Sequence, residues 1–208
     1  MLADLSQQML AVIQEFYQRG WAMATSTNYS FRNSTPNEHT FTISRSGVDK
    51  GQFHLDDFMG IDGQGHPSPA WQHLKASAET LLHTMLYEDE RIGAVLHTHS
   101  VDVTVYSWLF REERELIFQG FELQKGIEGV VSHEETLVLP VFDNAQDIAA
   151  LSKVIQSDLA QRPIVYGFIL RGHGLYAWGK DIATAKRHIE TYEFLVTCMK
   201  EIRLFVTK

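Results

Sequence analysis

The segment Ala94-Val95-Leu96-His97-Thr98-His99-Ser100 constrains this chain more than any other. A short apolar run leads directly into two histidines two residues apart. Successive side chains of a β-strand point to opposite faces, so His97 and His99 share one. Two imidazoles on one face suit a divalent metal, whereas a lone histidine there is more often an ordinary polar residue. A second segment, Leu170-Arg171-Gly172-His173-Gly174-Leu175, holds a third histidine between glycines. Those glycines also suit a tight turn between strands, where positive φ angles are needed. Three neutral imidazoles and one open position form the usual ligand set of a catalytic zinc. His97, His99 and His173 are therefore candidate metal ligands, with Zn2+ as the candidate cofactor, one per subunit. Iron or manganese would suit the same imidazoles.

The chain has 208 residues, which fits a single domain over 1–208. Its net charge of −8 argues against a nucleic-acid partner. An anionic substrate would need a local site. No apolar run approaches the ~20 residues of a membrane span, so no membrane partner is expected. The N-terminal stretch is amphipathic and carries acids, unlike a signal peptide. A single cysteine, Cys198, precludes an internal disulfide framework and suits a reducing, cytoplasmic setting. Its apolar surroundings place it in the core.

Helical spacing of Leu5, Met9, Val12, Ile13 and Phe16 predicts a first helix, closed by Gly20. Trp21 to Arg32 is a polar stretch. Strands are expected at Thr40–Ser44 and Phe58–Asp62. A helix should run from an N-cap at Ser77 to about Glu88, followed by a strand over Arg91–His99 and a helix from Asp102 to about Phe110. Thr136–Phe142 is a strand, Asp147–Leu159 a helix. Ile164–Leu170 and Leu175–Trp178 are strands joined at Arg171–Gly174. A long helix from Ile182 to about Phe205 follows. Short strands in hairpins mixed with helices suggest an α+β layered domain with a mainly antiparallel sheet.

The stretches His97-Thr98-His99-Ser100, Gly120-Phe121-Glu122-Leu123-Gln124-Lys125-Gly126 and Arg171-Gly172-His173-Gly174-Leu175-Tyr176-Ala177-Trp178-Gly179 together resemble the class II aldolase/adducin superfamily. The resemblance runs from Gly20-Trp21 to the final helix. It implies a three-layer αβα fold with a central antiparallel sheet. It implies a homotetramer with active sites near subunit interfaces, and Zn2+ held by His97, His99 and His173. Gly174–Gly179 and the glutamate before Lys125-Gly126 are most similar to a branch of zinc hydro-lyases in methionine salvage. The implied reaction converts 5-methylthioribulose 1-phosphate to 2,3-diketo-5-methylthiopentyl 1-phosphate and water. The alternative is a class II aldolase or epimerase acting on another sugar phosphate. A non-catalytic scaffold of this fold has no need to keep the three histidines together with Glu122.

The implied chemistry suits these residues. A ketose phosphate can chelate a metal through its C2 and C3 oxygens, and a Lewis acid on the carbonyl acidifies the C3 proton. The C4 hydroxyl must then leave with help from a general acid. Glu122 matches the family's catalytic glutamate, a role that calls for a raised pKa. On spacing alone it is a surface acid beside Lys125. Glu79 matches the glutamate that moves protons in class II aldolases; if it is the working base, aldol cleavage becomes the better alternative. A helix dipole would equally favour an acid there. Asn28, Ser30, Ser46, Gly47 and Ser77 match the phosphate-binding loops, where backbone N–H groups, short hydroxyls and a helix start form an anion nest. The family usually has glycine just before the asparagine; this chain has Thr27. Lys125 is either a phosphate partner or a solvated lysine. His39, His54, His66, His73, His83, His133 and His188 are surface or core residues. Tyr176 and Trp178 would pack the strand rather than line a methylthio pocket.

Overall fold

Apolar side chains occupy both faces of the central strands, so the sheet must be covered on both sides. The structure, a computed structural model, describes residues 2–33, 40–162 and 165–206. The elements are α1 (Leu2–Gln18), β1 (Tyr29–Arg32), β2 (Phe41–Ser44), β3 (Phe58–Ile61), α2 (Thr80–Leu86), β4 (Ala94–Thr98) and α3 (Val101–Leu109). They continue with β5 (Glu115–Phe118), β6 (Leu137–Phe142), α4 (Ile148–Leu159), β7 (Gly167–Leu170), β8 (Gly174–Gly179) and α5 (Ile182–Val206).

The strands form one sheet in the order β3-β2-β1-β4-β8-β7-β6-β5. The β6–β7 pair is parallel, and the other pairs are antiparallel. Ala94, Leu96, Ile169, Leu175 and Ala177 pack with Ile13 and Phe16 of α1, Tyr106 of α3, and Ile189 and Tyr192 of α5. Val95, Phe168, Leu170, Tyr176 and Trp178 pack with Leu82 and Leu86 of α2 and Leu151 and Ile155 of α4. The period-2 alternation of each strand thus sorts its side chains between two helical layers. The result is the expected α+β, three-layer αβα arrangement with a mostly antiparallel sheet.

Several elements differ from the sequence reading. β1 lies within the polar stretch Trp21 to Arg32. It is central, and Tyr29 and Phe31 face one layer while Ser30 faces the other. β5 was not expected either; its partner is β6. α2 starts at Thr80, with Glu79 as its N-cap. The Ser77 hydroxyl accepts the Glu79 N–H at 3.3 Å, so it closes a turn ahead of the helix instead of capping it. The expected strand start at Ile164, and His39, lie outside the described residues. Among the described residues no helix is long and apolar enough to cross a membrane. Cys198 is half-buried on α5.

Two connections carry the three histidines. β4 ends at Thr98, paired with Leu175 of β8. His99, just beyond, donates its N–H to the Trp21 carbonyl at 2.8 Å. The β7–β8 turn is pinned by Arg171, whose guanidinium donates to the carbonyls of Ser107, Phe110 and Glu113 and to Asp143. Gly172 takes φ +64° there, over the Trp108 ring.

Candidate metal centre

His97 and His99 emerge from the end of β4, and His173 from the β7–β8 turn. Their ligand nitrogens lie within 4.8 Å of one another. His97 Nε2 is 2.7 Å from His99 Nε2 and 3.4 Å from His173 Nε2. Tetrahedral zinc with Zn–N bonds of about 2.0–2.1 Å separates its nitrogens by about 3.3 Å, so the cluster has the right span. Gly174 makes this approach possible. A Cβ there would come within 2.1 Å of the Thr98 carbonyl oxygen, 2.9 Å of His99 and 3.0 Å of His97.

The electrostatics suit a cation. His97 Nδ1 lies 3.0 Å from the Leu175 carbonyl, which fixes Nδ1 as the protonated donor and leaves the Nε2 lone pair free. The ring stacks on Tyr176, with centroids 3.8 Å apart. Burial, and then the neighbouring imidazole of His99, hold His97 well below its ordinary pKa. Burial and His173 lower His99 to about 4. Both are therefore neutral donors at pH 7, the form a metal requires. His97 Nε2 and His99 Nε2, 2.7 Å apart, can share a proton or a cation, and three neutral imidazoles whose nitrogens lie this close are a donor set that fits Zn2+.

Glu79 is the carboxylate that the fold brings to the triad. Oε1 is 3.1 Å from His173 Nε2, and Oε2 is 3.8 Å from His97 Nε2. The side chain is 19% exposed. The Asn28 amide donates to Oε2. Burial pushes the carboxyl up, but the His173 hydrogen bond, the neighbouring His97 and His173 imidazoles and the Asn28 amide outweigh it, and the net shift is downward.

A cavity of about 280 Å³ opens on these residues, lined by Thr25–Asn28, Ser46, Ser77, Glu79, His99, Asn144 and His173. Of the expected phosphate residues it collects Asn28, Ser46 and Ser77, while Gly47 sits beside it in the turn. Ser30 does not reach it. Its hydroxyl is buried 2.7 Å from His83 Nδ1 and 2.9 Å from the Tyr87 hydroxyl, because β1 turns it toward α2. The expectation for Ser30 is corrected accordingly. A larger cavity, about 630 Å³, lies elsewhere, between the ends of α2, α4 and β8.

Comparison with known proteins agrees with the fold. The family described as Class II Aldolase and Adducin N-terminal domain matches residues 7–199. The chain belongs to this family. It is 46% identical over 196 residues to the methylthioribulose-1-phosphate dehydratase of Pseudomonas aeruginosa, covering 94% of this chain and 93% of that protein. It is 43% identical over 199 residues to the enzyme of that name from Picosynechococcus, covering 94% and 91%. Among solved structures, an L-fuculose-1-phosphate aldolase from Thermus thermophilus superposes with a TM-score of 0.77 over both whole chains, at 22% identity. That likeness concerns the fold.

Two residues tied to the family's catalytic and phosphate roles stand away from this cavity. Glu122 lies in a 3-10 turn over Glu122–Gly126, 72% exposed, with Lys125 Nζ 2.6 Å and His133 Nδ1 3.5 Å from its carboxylate. The hydrogen bond and charge of Lys125 lower its pKa. The raised pKa expected for an acid is therefore absent, and Lys125 is occupied with Glu122 rather than with the cavity. Thr27, where the family usually has glycine, takes φ +69°. It keeps the backbone conformation that glycine would adopt, at a cost of roughly 1–2 kcal/mol. Asn144 was not foreseen. Its Oδ1 lies 3.4 Å from His173 Nδ1, and nothing in the sequence around it distinguishes it from a loop asparagine. His188 is a core residue, bonded to the Trp178 carbonyl at 2.7 Å.

Proposed function

We propose that this chain is a zinc hydro-lyase that converts 5-methylthioribulose 1-phosphate to 2,3-diketo-5-methylthiopentyl 1-phosphate in methionine salvage. The reading treats residues 1–208 as one domain working as a cytoplasmic homotetramer. The convergence of His97, His99, His173 and Glu79, three of which line one cavity, carries it. The relatives at 43–46% identity select dehydration within the family.

His97, His99 and His173 would hold Zn2+, which when bound supplies a Lewis acid for the substrate carbonyl. Glu79, ionised at neutral pH, takes the C3 proton, and Asn28 orients its carboxylate. The hydroxyls and backbone of the Thr25–Asn28 loop, with Ser46 and Ser77, receive the phosphate. Glu122, in its protonated form, gives a proton to the C4 hydroxyl, which leaves as water. The enol left behind ketonises by taking at C4 the proton held on Glu79, and its own hydroxyl proton restores Glu122. On its own chain Glu122 is exposed and held ionised by Lys125, so this role requires a neighbouring subunit that covers it.

Purified protein given methylthioribulose 1-phosphate should lose water and develop the ultraviolet absorbance of a diketone. One observation favours the second reading, a class II aldolase: the carboxylate beside the triad, and the base assigned above, is Glu79 and not Glu122. What weighs against that reading is the identity to the dehydratases. Fuculose, rhamnulose and ribulose phosphates decide between the two, because release of dihydroxyacetone phosphate from any of them would sink the dehydratase reading. The Glu122 role has its own check. Glu122→Gln should lower kcat about 10²–10⁴-fold, and mixed tetramers of Glu122→Gln with His97→Ala chains should regain activity that neither shows alone. Full activity of Glu122→Gln removes it from the mechanism.

A further inference from the structure

Glu193 lies within α5 and is 2% exposed. It packs behind β4, on the sheet face opposite His97. Its partners are hydroxyls. Thr98 Oγ1 donates to Oε1 at 2.6 Å, and the Ser100 hydroxyl adds a second hydrogen bond. The charge that acts on it is that of Asp102, of its own sign. Burial pushes its carboxyl up to about 7, with Asp102 adding to the rise against the two hydroxyls. Burying an acid without a counter-charge is unfavourable. Stability therefore gives no reason for a glutamate here.

Its two partners flank His99 in the chain. Thr98 also stands between His97 and His99, and is the last residue of the β4–β8 ladder. Past this point the ladder no longer holds the strand against rotation about its axis. Such rotation would carry the His99 ring off the face that it shares with His97, which the ladder itself holds. Ser100 is the N-cap of α3, accepting the Val103 N–H at 3.2 Å. One carboxyl thus fastens both the strand end and the helix start to α5.

We propose that Glu193 is a positioning residue of the metal centre, acting through Thr98 and Ser100 to set the orientation of His99 against His97. The inference rests on the reading of the three histidines as a metal site. Groups hydrogen-bonded directly to metal ligands are typically worth about 10–100-fold in metal affinity, and this sets the upper end of the effect passed through Thr98 and Ser100.

The test is competition for Zn2+ between the protein and a chromogenic chelator, together with the visible spectrum of the Co2+-loaded protein. Wild type, Glu193→Ala, Glu193→Gln, Thr98→Val and His97→Ala are compared, with thermal melting of each sample. Glu193→Ala and Thr98→Val should weaken Zn2+ binding by up to about 10–100-fold and shift the Co2+ bands. Glu193→Gln retains an acceptor for Thr98 and should stay close to wild type. If Glu193→Ala does not fold, Thr98→Val decides alone. Wild-type affinity and spectrum in the folded variants overturn the proposal, as does a Glu193→Gln protein as weak as Glu193→Ala. A wild type that binds Zn2+ no better than His97→Ala overturns instead the metal reading beneath it.

Discussion

Replacing His97 with alanine should empty the centre and lower turnover by about a thousandfold or more. His97 is the hub of the cluster. Its Nε2 faces both other histidines, and its ring is fixed twice, by the Leu175 carbonyl and by the Tyr176 face. Two imidazoles cannot hold the ion as three do. A Lewis acid is worth several kcal/mol at a carbonyl, and about 4 kcal/mol is about a thousandfold in rate. The check is metal content by elemental analysis beside initial rates. Unchanged zinc in a folded His97→Ala protein would overturn the ligand assignment.

Glu79→Gln should act differently, lowering kcat about 10²–10⁴-fold while zinc stays bound. The amide has nearly the same shape and can still accept from Asn28, but it cannot take a proton. The pH profile adds a sign. Because the Glu79 carboxyl is held below its ordinary range, the base remains ionised as pH falls through that range. An acid limb near the ordinary carboxylate range of about pH 4–5 in the wild type therefore belongs to another group. Loss of zinc together with rate would make Glu79 a ligand rather than a base. A full rate would leave the C3 proton to some other residue.

Legibility in the sequence followed from whether a residue's neighbours were local. His97 lies in β4 and His99 one residue past its end, so a period of two was enough to put them on one face. The glycines around His173 marked a turn, although not its position against β4. Ser30 shows where local reading stops. It matches a loop motif, yet β1 is buried on both faces, and strand alternation turns it toward His83 and Tyr87. β1 itself was hidden because its Ser and Arg are satisfied by distant partners, among them the carbonyls of Tyr87 and Ile92. Glu79 was visible as one of two acids, but its place beside the triad depends on Asn28, 51 residues away. Glu193 gave no signal: a glutamate in a long helix reads as solvated, and here the helix turns it inward.

The centre is drawn from remote parts of the chain. Asn28 meets Glu79 across 51 residues, and His97 meets His173 across 76. The His97–His99 pair is local, but the third imidazole joins it only when the β7–β8 hairpin pairs with β4, so a bound ion has little to stabilise until those strands have assembled. Occupancy of the centre then becomes a thermodynamic clamp on the entire sheet, its strength set by free metal relative to Kd. Chelation would loosen the molecule as a whole rather than fray one loop.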